Sequence, residues 1–140
     1  MPARISFLAA VAMCDTLVDR FDVGAGTAVL QIYEGAMPAT INDAPLGNVL
    51  VEFALPNPSF GDAAVSATGG TAVAEDIAPV PALTSGEASW FRILDADGVP
   101  QLDGDVSVAG GTGQLQLTSL TVVEAVDVSV YLLSITQRAS

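Results

Sequence analysis

Apolar side chains recur at helical spacing in one stretch of the chain. Phe7, Val11, Cys14, Val18 and Phe21 follow at intervals of four, three, four and three, one stripe of a helix over residues 5–22. Asp15, Asp19, Arg20 and Asp22 fall mostly off that stripe, and Gly24 and Gly26 supply the stop signal. The stripe has two uses. It packs on the chain's own sheet, or it docks on a partner, with Phe7, Val11, Val18 and Phe21 as the contact candidates. Arg4 and the apolar run up to Met13 have the outline of a secretory leader, but Asp15 and Asp19 continue the amphipathic pattern and point to a helix instead.

Beyond residue 26 the period becomes two. Over 27–34, Leu30 and Ile32 share one face and Val29, Gln31 and Tyr33 the other. Over 48–55, Val49, Val51, Phe53 and Leu55 form the expected core face. Residues 63–75 read as two short strands, or one bulged strand, about Gly69-Gly70, and residues 76–86, with Pro79 and Pro81, as extended but irregular. A hairpin is expected at 87–94 and 99–109. Asp97-Gly98 there predicts a two-residue type I′ turn, and Trp90, Ile93 and Leu94 are the expected core anchors. Gly110 to Gly113 reads as a flexible connector, and 114–119 as another strand. Over 126–136, Val126, Val128, Val130 and Leu132 share one face and Tyr131, Leu133 and Ile135 the other. The long loop 35–47 is rich in turn formers, and Met37, Pro38 and Ile41 make it a candidate contact arm. Seven or eight strands and one helix predict a mainly β protein: a single antiparallel β-sandwich or jelly-roll-like domain over 1–140, with an N-terminal α-helix at 5–22 and the sandwich at 27–136.

Composition narrows the chemistry. The chain has 140 residues, enough for one core without covalent staples. Sixteen acidic residues stand against four Arg, with no Lys and no His, for a net charge of −12. Such a chain repels phosphate backbones and anionic membranes and favours a basic partner surface, so neither nucleic acid nor membrane is an expected partner. No apolar run approaches the length of a membrane-spanning helix. Without His, Ser-His-Asp and Cys-His nucleophile systems and His-based zinc sites cannot be built. Cys14 is alone and reads as a small buried hydrophobe.

Asp95-Ala96-Asp97-Gly98 invites a calcium reading, and Asp95 and Asp97 are its candidate ligands. An EF-hand counted from Asp95 would need a third ligand, a Gly and a Glu where Val99, Pro100 and Val106 stand, so turn chemistry is expected and no metal. Glu75-Asp76 reads as exposed loop acids, not as a hydrolase pair. Gly24-Ala25-Gly26 and the 110–113 run lack the Lys-Ser/Thr ending of a phosphate loop. The expectation is no catalytic residue, no cofactor and no enzyme activity.

Several pieces in order resemble a family of small structural proteins of tailed-bacteriophage and prophage heads. They are Leu30-Gln-Ile-Tyr-Glu-Gly35, Met37-Pro-Ala-Thr40, Ala44-Pro-Leu-Gly47, Pro58-Ser-Phe-Gly61, Ser89-Trp-Phe-Arg-Ile-Leu-Asp-Ala-Asp-Gly98, Gly104-Asp-Val106 and Ser134-Ile-Thr136. The resemblance implies a capsid decoration or cement protein. It would be made in the host cytoplasm and carried on the virion, with the major capsid protein and further copies of itself as partners. Two alternatives remain open: a tail or head–tail connector component, and a carbohydrate- or metal-binding β module.

Overall fold

The structure, a computed structural model, describes residues 4–139. The helix α1 spans Phe7–Phe21. Ser6 caps it by accepting a hydrogen bond from the Ala9 N–H at 3.0 Å. Twelve strands follow: β1 Val29–Tyr33, β2 Val49–Ala54, β3 Ala64–Val65, β4 Gly69–Val73, β5 Val80–Pro81, β6 Gly86–Glu87, β7 Trp90–Leu94, β8 Pro100–Val108, β9 Leu115–Leu117, β10 Thr121–Val122, β11 Asp127–Val128 and β12 Val130–Arg138. Eight of them make one sheet in the order β2-β1-β7-β8-β9-β12-β4-β3. The pairs β6–β10 and β5–β11 form two small sheets at one end. The protein is mainly β with one leading helix, as its periodicities predict.

The core joins the two halves of the large sheet. Leu30, Ile32, Val51, Phe53, Phe91 and Ile93 come from β1, β2 and β7, and Leu115, Leu117, Leu133, Ile135 and Ala72 from β9, β12 and β4. Phe21 of α1 reaches the Phe60 ring, with centroids 5.5 Å apart, and both belong to the same cluster. The helix approaches β4 closely because Gly70 has no side chain: a Cβ there would sit 2.6 Å from the Val11 Cα.

Every neighbouring pair in the large sheet is antiparallel except β8–β9, which is parallel with Val106 opposite Leu115. Parallel neighbours ordinarily need a long crossover. Here residues 109–114 bring the chain back, so the expected flexible connector is instead a folded return. The Gly113 N–H donates to Ser107 Oγ at 3.1 Å, and the Gly110 N–H to Gln116 Oε1 at 3.0 Å. A Cβ on Gly113 would lie 2.7 Å from the Ser107 nitrogen, so the loop closes only as glycine.

Two other expectations need correction. The turn between β7 and β8 is not type I′. The Gly98 N–H bonds back to Asp95 O at 2.9 Å, positive φ occurs at Gly98 and not at Asp97, and the register shifts between Ile93 and Leu94. That is a turn closed by a glycine bulge, which spares Asp97 a left-handed conformation. In the last strand, a register shift between Val130 and Leu132 places Leu133 and Ile135 in the core, whereas Val126 is 55 % exposed.

Candidate functional site

The stripe on α1 is resolved by burial. Its inward side is Ala10, Cys14, Val18 and Phe21, all fully or nearly buried against the chain's own sheet. Val18 and Phe21 are therefore core residues and not partner contacts. Their spacing matches the sheet, and the small Ala10 lets the helix settle on Gly70. The Cys14 thiol donates to Ile135 O at 3.3 Å, and burial raises its pKa above the ordinary thiol value. Asp15 and Asp22 clamp the segment beside the helix, accepting from the Ala63 N–H at 2.6 Å and the Ser59 N–H at 3.2 Å.

The outward side of α1 carries unpartnered apolar surface. Phe7, Leu8 and Met13 are 46 %, 76 % and 48 % exposed. Ala12, Met13, Thr16 and Leu17 line an open groove of about 510 Å³ with Gln137 of β12. Leu17 and Gln137 also border a hollow of about 200 Å³ floored by Leu102, Gly104 and Ile135. Of the four helix candidates, Phe7 continues the Cys14 and Phe21 stripe yet is half exposed at the first helical residue, and Val11 is half-buried above Gly70. The signal for Leu8, Ala12 and Met13 was present in the sequence. They are apolar residues off the core stripe of a short helix, a position that polar residues ordinarily fill.

The loop 35–47 behaves differently from a free arm. Pro38 is buried and is no contact residue, because the chain folds the loop back on its own body. Met37 is 37 % exposed, and Ile41 is half-buried. Ile41, Asn42, Asp43 and Pro45 line a cavity of about 410 Å³ whose other wall includes Arg92 and Pro100.

Arg92 belongs to a polar and aromatic ladder across the outer face of β2, β1, β7 and β8. Gln31 donates to Glu52 at 3.2 Å, the Tyr33 hydroxyl donates to Gln31 Oε1 at 2.6 Å, and the Tyr33 ring stacks on Trp90 at 4.4 Å. The Arg92 guanidinium lies 5.5 Å over the indole and grips Asp103 with two bonds, at 2.7 and 3.0 Å. The Asp103 bond raises the Arg92 pKa further, and burial raises that of the Tyr33 phenol. Trp90 is thus buried on the outer face, apart from the main cluster, and Leu94 on the same face is only half-buried. Of the expected anchors Ile93 is a core residue, and Phe91, which the sequence reading did not single out, is its larger neighbour.

Asp95 and Asp97 are turn residues. One Asp95 oxygen accepts from the Asp97 and Val99 N–H groups at 2.9 and 3.0 Å, and the other from Gln101 at 3.0 Å. Burial pushes the Asp95 pKa up, but these donors together hold it below the usual carboxylate value. Asp97 accepts from the Ala25 N–H at 3.2 Å and so ties the α1–β1 loop to the hairpin. Among the described residues no three His, Cys, Asp or Glu side chains gather in a metal-holding group, and no helix is long and apolar enough to cross a membrane. Comparison of the chain with protein-family models, curated proteins and solved structures returns no match.

Proposed function

We propose that the chain is a virion structural protein, a decoration or cement protein that binds the shell of a tailed-phage head through its major capsid protein. It works by binding and not by catalysis. The observation that carries this reading is the outward side of α1: exposed Leu8 and Met13 beside the apolar groove of Ala12 and Leu17, on a helix whose other side is locked into the core. Burying one such side chain contributes at most about 1.5–3 kcal/mol, which is weak singly and sufficient when many copies coat one shell. The ordered head-protein pieces in the sequence support the same reading. The acidic surface suits a basic rim around the docking site.

The test is co-sedimentation of the purified chain with shells assembled from the major capsid protein of its own particle. Deleting the helix would be uninformative, because Cys14, Val18 and Phe21 belong to the core. The double variant Ala12→Glu/Met13→Asp changes exposed positions only. It is expected to melt as the parent does and to bind shells at least about tenfold more weakly, a loss of about 1.4 kcal/mol. The reading fails if the parent chain stays in the supernatant, or if the double variant binds as the parent does.

A further inference from the structure

The outer face of β7 holds buried donors that the fold does not use. Arg92 gives Nε and Nη2 to Asp103, and among the described residues no acceptor stands against its Nη1. The side chain is nonetheless only 3 % exposed. Beside it the Trp90 indole N–H, in a side chain 1 % exposed, has no acceptor either. A buried donor left unpaired costs stability that an acceptor brought from outside would restore.

Arg92 forms part of one wall of the cavity of about 410 Å³ beneath the 35–47 loop, a volume within the range of small-ligand sites. The loop wall is held at its base and from within. Gly47 lies against Glu34 O with no room for a side chain, and Asn48 Nδ2 donates to Glu34 Oε1 at 3.2 Å. Inside the loop the Thr40 N–H donates to Asp43 Oδ2 at 3.2 Å and the Asp43 N–H to Thr40 O at 3.1 Å, which leaves Asp43 Oδ1 unspent. Among the described residues no hydrogen bond joins 41–45 to β7 or β8. The cavity therefore has a donor on the sheet wall, Arg92, and an acceptor on the loop wall, Asp43. Ile41, Pro45, Val99 and Pro100 supply its apolar lining.

We propose that this cavity binds one branched apolar residue of an extended peptide, whose amide oxygen accepts from Arg92 Nη1 and whose amide N–H donates to Asp43. The walls select this ligand against others. A carboxylate or phosphate would face Asp43, and Arg92 is already neutralised by Asp103. A sugar would turn hydroxyls against four apolar side chains. A plain hydrocarbon would leave the Arg92 donor unpaired. A trans amide is neutral and rigid and points its oxygen and its N–H in opposite directions, as the two walls require. A branched side chain next to that amide fills the lining. The site lies under the 35–47 loop and not on α1, and it does not rest on the shell-binding reading.

The test is a titration of the full chain with N-acetyl-leucine N-methylamide, followed in nitrogen–proton correlation spectra. The chain has one Trp, so its indole N–H gives a single signal beside the site. That signal, the Arg92 Nε–H and the Val99 and Asn42 amides are expected to move together and to saturate. The glycine analogue, which lacks the apolar side chain, should bind at least about tenfold more weakly. N-acetyl-leucine, with a carboxylate in place of the second amide, should also bind more weakly. Val99→Lys fills the cavity from an exposed position and should abolish the shifts. If its spectrum is not that of a folded chain, Ala44→Glu does the same from the loop wall. The inference is overturned if the methylamide moves none of these signals up to its solubility limit. It is equally overturned if the glycine analogue or the carboxylate binds as well as the methylamide, or if the folded cavity variant binds as the parent does.

Discussion

On β7 the inward face carries Phe91 and Ile93 and the outward face Trp90 and Arg92, and none of the four is more than 3 % exposed. The inward pair is held by shape. Phe91 lies over Gly104 so closely that a Cβ there would stand 2.5 Å from its ring, and the two halves of the sheet close around it. The outward pair is held by partners: Tyr33 against the indole, the guanidinium above it, and Asp103 gripping the guanidinium. A face buried by shape loses stability in proportion to removed volume. A face buried by pairing loses most when one partner is left alone, and little when both are replaced.

The largest expected effect is on the inward face. Phe91→Ala should cost about 3–5 kcal/mol by urea unfolding, because the ring is fully buried and the sheet can collapse on it only partly. A loss under about 1 kcal/mol would mean that the core is not closed around this ring.

Next comes the outward face, where the sign of a second substitution separates the two kinds of burial. Asp103→Ala should cost about 3 kcal/mol, since it strands Arg92 with its side chain 3 % exposed. Arg92→Met together with Asp103→Leu should recover most of that loss, because neither charge then remains buried. The same urea curves decide it. If the double variant is as unstable as the sum of Arg92→Met and Asp103→Leu made singly, the ladder is a shape-held core like the inward face.

The sequence only partly separated the two faces of β7: of its expected anchors Ile93 is inward, whereas Trp90 and Leu94 are outward, and the inward Phe91 was not singled out. Alternation in 27–34 puts Leu30 and Ile32 on one face, which is the core face, and the α1 stripe over 5–22 contains the helix found at Phe7–Phe21. Period-two patterns report which side chains are apolar, so Arg92 beside Trp90 reads as an exposed charge. Its burial depends on Asp103, brought opposite by the β7–β8 register, and on the 35–47 loop, whose return to the body no periodicity records. The β8–β9 pair escaped for a related reason: its connector is short enough to read as a link between antiparallel strands, and only packing against Ser107 makes it a parallel return. The two-residue strands β5, β6, β10 and β11 are shorter than any repeat that could reveal them. On α1 the sequence marked Phe7, Val11, Val18 and Phe21, the stripe that meets the sheet, and not the exposed Ala12 and Met13, because hydrophobicity alone does not say which side of an apolar helix meets its own sheet.

The smallest expected effect lies at the turn joining the two faces. Asp95 is buried and accepts three hydrogen bonds, so its carboxylate is better solvated by the fold than by a chain that has lost the turn. Its folded pKa is held below the ordinary value, so on acidification the unfolded chain takes up this proton first. The stabilisation is present above the unfolded pKa of about 3.9 and is lost as pH falls through the lower folded value. Asp95→Asn keeps the shape and removes the charge. It should cost about 1 kcal/mol near neutral pH, and the gap to the parent should close as pH drops from about 5 to below 3. Melting curves of the two proteins across that range measure it. A gap unchanged at the acid end would show that Asp95 serves the turn through its shape, as Phe91 serves the core, and not through its charge.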